Sequence, residues 1–172
     1  MKKFFIIFSL LFLSIFNNVK ANNIAFVDMD KLLSTSKTGL NLLSQLNDLN
    51  NNNTDKFKKN EKYLKSKETQ IISQKNILSE DKFNKEITEL KLSIKKYNED
   101  RNKILNNFNK IKSDSTNKFL QLINPILKSY ADEMSIDIIL QKKNIILGKT
   151  AFDITDEIII IVNKDIKDFK IK

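Results

Sequence analysis

From Phe83 to Ile111 the seam positions advance by four and three residues in strict alternation: Phe83, Ile87, Leu90, Ile94, Tyr97, Arg101, Ile104, Phe108 and Ile111. A stripe recurring every 3.5 residues is the heptad seam of a coiled coil, and it leaves one narrow face to bury. The residues between are mostly charged or amide, so this segment cannot be the interior of a globular domain. It needs a second helix. Upstream, Phe57, Leu64, Ile71 and Leu78 fall seven apart as a sparser half-seam. Between the two seams stands "SEDK". Ser79 suits an N-cap, and Glu80 and Asp81 suit the positive end of a new helix. The spacing therefore predicts a helix ending near Leu78, a tight turn, and a second helix running back. With Leu40 to Leu78 as one leg, this antiparallel α-hairpin would be an arm of roughly 60 Å. The run "LNNNNTD" at 49–55 is a weak point, because asparagine is a poor helix former; a bend or frayed turn there is one reading, and mere compositional drift in an asparagine-rich chain is the other.

The two ends of the chain read differently. Residues 1–21 begin "MKK", continue with the apolar run "FFIIFSLLFLSIF" and close on "NNVKA". That is a signal peptide with cleavage expected after Ala21; an uncleaved anchor is the alternative, although the run is short for a span of ~20 residues. "NIAFVDMD" alternates Ile24 and Phe26 on one side with Ala25 and Val27 on the other, as a strand does, and Asp30 is a plausible cap for the next helix. "FLQLINPILKSYADEM" continues the long helix with a kink expected at Pro125. "IDIIL" and "NIIL", joined by "QKK", read as a β-hairpin. "FDITDEIIIIVNKDI" reads as a helix capped by Asp153 or Thr155, with Ile158, Ile159, Ile161 and Val162 on its buried face; a buried strand at "IIIIV" is the alternative. The fold class is α+β: a β-rich body from 22–39 and 121–172, and a coiled-coil arm from 40–120. Three short strands and one helix make a very small core, of the kind completed by oligomerisation. Ile24, Phe26, Ile138, Ile139, Ile145 and Ile146 are assigned to that oligomer body.

Composition narrows the function. The chain has no histidine and no cysteine, and its only glycines are Gly39 and Gly148. It thus lacks the commonest general base, the commonest metal ligand, a disulfide framework and a glycine-rich phosphate cradle. No convergent carboxylate pair or nucleophile–base set is visible, so no enzyme is expected. Apart from Lys2, Lys3 and Lys20 of the expected signal peptide, the positive excess lies in the arm, where residues 40–120 carry 17 basic and 11 acidic side chains.

In this order of parts the chain resembles the Skp/OmpH family of periplasmic chaperones. "IAFVDMDKLLSTSKTG" looks like that family's first strand and helix start, "ILSEDKFNKEITEL" like its hairpin tip and return helix, and "DIILQKKNIILGKTAFDITDEI" like its C-terminal hairpin and "DIT" helix. The resemblance implies a jellyfish-like homotrimer: a small β-rich body with three long arms around a cavity, the six body residues forming the trimer interface. It also implies a holdase that keeps unfolded outer-membrane β-barrel proteins soluble without ATP, metal or other cofactor. No lipopolysaccharide site is carried over residue by residue.

Within that reading the client-binding candidates are the basic arm residues. They are Lys56, Lys58, Lys59, Lys62 and Lys65 on one leg, and Lys82, Lys85, Lys91, Lys95, Lys96, Arg101 and Lys103 near the tip and on the other. Their summed field would speed capture of acidic clients and suits an anionic lipid or lipopolysaccharide surface. The plainer reading of any one of them is a solvated coiled-coil face. Phe83 could touch a client at the tip, but packing across the hairpin explains it as well. A nucleic-acid partner is not expected, since no aromatic stacking pattern interleaves the lysines and the chain reads as exported. The rival to the chaperone is an exported structural coiled-coil protein of the cell envelope, which would fit the seam but not the small terminal body.

Overall fold

The computed structural model describes residues 23–167 and 169–171; the expected signal peptide lies outside them. The order of elements is β1 (Ile24–Val27), α1 (Met29–Thr35), α2 (Lys37–Ser73), α3 (Glu80–Glu133), β2 (Ile138–Gln141) and α4 (Thr155–Asp165), with single 3₁₀ turns at Lys142–Asn144 and Thr150–Phe152. The fold is therefore mostly helical, with one small strand pair.

α2 and α3 pack antiparallel along the seam. Leu90 is buried, and Phe83, Ile87, Tyr97, Ile104, Phe108 and Ile111 are half-buried. On α2 the facing residues are Phe57 and Leu64, half-buried, and Ile71, buried. The 54 residues of α3 outrun the 37 of α2 by roughly five turns. Phe119 and Ile123, on α3 near the level of the α2 N-terminus, belong to the core. The core thus sits at one end of the helical pair. There Leu42 and Leu46 of α2, Phe119 and Ile123 of α3, Ile158 and Val162 of α4, and Ala25 and Val27 of β1 meet.

Several local expectations are corrected. The asparagine run does not fray, since α2 is continuous from Lys37 to Ser73. Leu49, Asn53 and Phe57 keep their place beside α3 through the run, and this packing overrides the weak propensity. α2 ends at Ser73 rather than near Leu78, with a turn over 74–79. Leu78, half-buried, tucks into that turn through its amide bond to the Gln74 carbonyl. As expected, α3 continues as a helix through Pro125. The proline and Gln121, whose carbonyl loses its partner, are both exposed, so water can replace the missing bond. The first cap is Asp28 rather than Asp30: its carboxylate accepts from the Lys31 amide, and Asp30 lies in the first turn of α1.

The C-terminal hairpin does not form, and the sheet has two strands instead of three among the described residues. β1 and β2 pair parallel, in the register Ile24↔Ile138, Ala25↔Ile139, Phe26↔Leu140, Val27↔Gln141. The crossover between them is the entire helical pair, as parallel strands need a long connection. After β2 the chain closes a tight turn, with the Ile145 amide bonded to the Lys142 carbonyl at 3.0 Å. It then crosses the sheet face instead of doubling back along β2. Gly148 comes so close over Phe26 that a Cβ there would lie 2.8 Å from the ring. The chain finally reaches the other edge of β1, where the Ile154 amide bonds to the Phe26 carbonyl at 3.0 Å.

Asp153 fastens this return. Its Oδ2 accepts from Lys142 Nζ at 2.7 Å and its Oδ1 accepts from the Thr155 amide at 3.1 Å and from the Thr155 hydroxyl. Thr155 Oγ1 in turn accepts from the Asp28 amide at 2.9 Å. Partial burial pushes the Asp153 carboxyl up, but the hydrogen bonds from Lys142 and Thr155 together outweigh it and hold it below the usual carboxylate range. A depressed carboxylate contributes stability that is present above its unfolded pKa of about 4 and is lost as pH falls through the folded value. Melting curves of Asp153→Asn are therefore expected to differ most from wild type above pH ~4, and the two should converge in acid. A gap that persists unchanged at pH ~2 would contradict this role.

Candidate functional site

Two surfaces stand out. The first is the outer face of the sheet. Paired residues of parallel strands project to the same side, and Ala25 and Val27 project into the core. Ile139, opposite Ala25, therefore packs against the chain's own core, within the body to which its sequence assigned it. Ile24, Phe26, Ile138 and Leu140 face outward. Phe26 is covered, with Gly148 over it and the Lys142 ammonium 6.0 Å from its ring centroid. Ile24, Ile138 and Leu140 remain 44%, 45% and 43% exposed. In the return segment, Ile145 is half-buried, while Ile146 and Leu147 are almost fully exposed and Phe152 is 48% exposed. Ile24, Ile138 and Leu140 thus form an exposed apolar patch on the outer sheet face, and exposed apolar patches mark interaction surfaces. Sequence reasoning missed Leu140, Leu147 and Phe152. Leu140 was findable once the phase of β2 is set by its pairing with β1; nothing local marks the other two.

The second surface is the helical pair. Tyr97 donates to Glu61 Oε1 across the two helices at 2.6 Å. Partial burial first, then the Glu61 hydrogen bond and charge, raises the Tyr97 pKa, against an opposing pull from Arg101. Arg101, the charged member of the seam, lies with its guanidinium 5.4 Å from the Phe57 ring centroid. A cation over an aromatic face keeps the seam packed while its head group stays wet. All twelve basic candidates are exposed. None of them forms an ion pair among the described residues, where the pairs are Lys31–Asp156, Lys110–Asp114 and Lys142–Asp153.

The structure brings only some of these residues together. Lys56, Lys59 and Lys103 share a hollow of about 410 Å³ with Asn60, Asp100 and Ile104. A neighbouring hollow, also lined by Lys56, Lys103 and Ile104, extends past Asn53 and Asn107 to Leu49 and Phe108. The furrow thus has lysine and amide walls over an apolar floor. Lys96 lines a separate hollow beside Tyr63 and Tyr97. Lys58, Lys62, Lys65, Lys82, Lys85, Lys91 and Lys95 line none of these hollows. Phe83 is half-buried in the seam. Among the described residues no group of His, Cys, Asp and Glu could hold a metal ion, and no helix is long and apolar enough to cross a membrane.

Comparison with known proteins agrees with this architecture. No curated protein matches the chain significantly. A crystal structure of a candidate outer membrane chaperone (OmpH-like) from Caulobacter crescentus CB15 superposes with a TM-score of 0.81, covering 88% of this chain and 90% of that one at 12% identity. At that identity the shared property is the fold. The family described as "Outer membrane protein (OmpH-like)" matches residues 23–161, which takes in both strands, the whole helical pair and the start of α4. The chain belongs to the OmpH-like outer membrane protein family.

Proposed function

We propose that the chain is a periplasmic holdase. Three copies share one body through their sheet faces, with 22–39 and 121–172 forming that body and 40–120 the projecting arms. Unfolded outer-membrane β-barrel proteins are held between the arms, without ATP or metal, until they reach the outer membrane. The observation that carries this reading is the exposed apolar sheet face of Ile24, Ile138 and Leu140, with exposed Ile146, Leu147 and Phe152 in the return segment, at the root of a long charged helical pair. Such a face needs covering by other copies, and copies joined there set their arms side by side. Membership of the OmpH-like family supports the chaperone role.

The arms hold clients by many weak contacts. Each contact is easily broken, and together they retain a chain without trapping it. Unfolded β-barrel strands alternate apolar and polar residues and expose unpaired backbone groups. The furrow's lysines, amides and apolar floor can engage both kinds of residue. The unpaired lysines steer acidic segments inward and suit an anionic lipid or lipopolysaccharide surface. Two measurements test this. The protein should suppress light scattering when a urea-unfolded β-barrel protein is diluted into buffer; an exported structural coiled coil would leave scattering unchanged. The capture rate should fall roughly tenfold between low salt and ~0.5 M salt, as screening removes the steering field. A salt-independent rate would remove the electrostatic part of the mechanism.

A further inference from the structure

Residues 166–167 and 169–171, beyond the matched family segment 23–161, form a strap that lies on the root of the helical pair. Phe169 is 4% exposed, and Ile166 and Ile171 pack against the same core. Thr38 Oγ1 donates to the Ile166 carbonyl at 3.1 Å. The Lys118 ammonium stands 5.3 Å from the Phe169 ring centroid. The decisive contact is Gln45 of α2: its Nε2 donates to the Phe169 carbonyl at 2.8 Å, and its Oε1 accepts from the Ile171 amide at 3.2 Å. A donor and an acceptor offered to the carbonyl before and the amide after one residue are what a neighbouring parallel strand offers. Gln45 imitates a strand edge with a single side chain, and it reads backbone rather than sequence. The strap alternates accordingly, with Phe169 and Ile171 toward the core and Lys170 exposed between them. A hollow of about 250 Å³ lined by Ile111, Asp114, Ser115, Lys118 and Lys170 adjoins the strap.

We propose that this is a seat for an extended peptide of alternating apolar and polar residues, closed by the chain's own strap, and that a strand of an unfolded client displaces the strap. The proposal rests on the chaperone reading above. The match is chemical. A β-barrel strand alternates in the same way, and its unpaired carbonyl and amide fit the Gln45 amide. The seat's apolar socket takes one face of the strand and leaves the other to solvent. Because the strap is tethered, it competes at an effective concentration on the order of millimolar. A client segment wins only when it is itself held nearby, between the arms. The seat therefore adds to retention and empties readily on release.

Amide hydrogen exchange of the full protein, with and without a saturating urea-unfolded β-barrel protein, tests this. Exchange at the Ile171 amide should rise about tenfold with client while Ile158 and Val162 keep their protection. Unchanged protection at Ile171 with client bound overturns the proposal, as does a parallel rise at all three sites. Phe169→Ser should bind client roughly threefold more tightly, because the strap no longer occupies the seat. Adding Gln45→Ala should abolish that gain. Binding by Phe169→Ser equal to or weaker than wild type also overturns the proposal. If wild type captures client but Ile171 stays protected, the seat alone fails. If wild type captures no client, the chaperone reading fails and the seat with it.

Discussion

Glutamate in place of Leu140 should leave a folded chain that sediments as a monomer. Leu140 is 43% exposed on the outer sheet face, beside Phe26 in the register, and outside the chain's own core. The substitution therefore costs the single chain little. In the proposed assembly that face is covered by other copies, and an unpaired carboxylate there would be stripped of water without a partner. Breaking an interface in this way costs several kcal/mol per buried charge, on the order of 3–5. Repeated by symmetry at every contact, it would dissolve the assembly. Far-ultraviolet dichroism should stay close to wild type while the sedimenting mass falls to one chain. An assembly of wild-type size in Leu140→Glu would refute the assignment of this face. Ile139→Glu is the instructive contrast. Ile139 packs against the core, so a charge there should unfold the body rather than separate intact copies.

Gly39→Ala carries the second large effect. The chain leaves α1, turns at Ser36 and enters α2, with the Ser36 hydroxyl accepting from the Gly39 amide at 3.1 Å. The turn is so tight that a Cβ on Gly39 would lie 2.0 Å from the carbonyl oxygen of Leu33. That neighbour is backbone and cannot swing aside, so the α1–α2 junction must open. Ser36 and Thr38 are buried beside it, and Leu32 and Leu42 on either side are fully buried. Opening the junction therefore disturbs the core as well as the turn. Overpacking of this severity costs at least about 3 kcal/mol, a large part of a total stability of roughly 5–15 kcal/mol. The melting temperature of Gly39→Ala should fall by roughly 6–12 °C. A fall of less than ~2 °C would mean that the junction is looser than described. Gly148→Ala should cost less, because its nearest neighbour is the Phe26 ring, a side chain that can shift.

How much of the fold was legible depends on how local each cause is. The long helices were legible because burying one stripe of a helix imposes its period on the sequence over many turns. Helix α4 was legible for a related reason: Asp156 and Glu157 stand in its first turn, and Ile158 and Val162 share one face. The sheet was not. β1 and β2 pair across more than a hundred residues, and no local signal says whether Ile139 or Leu140 faces outward. The run "NIIL" has the look of a strand, yet the turn at Lys142–Asn144 carries it over the sheet face and Asp153 ties the returning chain to that turn. The asparagine run misled in the opposite direction, since its propensity is local and the packing that overrides it is not.

The candidate site divides in the same way. The basic residues could be named from the sequence. That Lys56, Lys59 and Lys103 meet in one furrow depends on the register between two helices, which the seam alone leaves free by whole heptads. The strap was missed because "FKI" is too short to carry a pattern, and its partner Gln45 lies 124 residues away.

The central claim is that the body is shared among copies while the arms stand free to hold a client. Its most direct test is the mass in solution by multi-angle light scattering, for the protein alone and mixed with one equivalent of a urea-unfolded β-barrel protein. The account predicts three times the chain mass alone, and a single defined species heavier by one client in the mixture. A monomeric mass alone, or a trimer that leaves the client to aggregate, would contradict it.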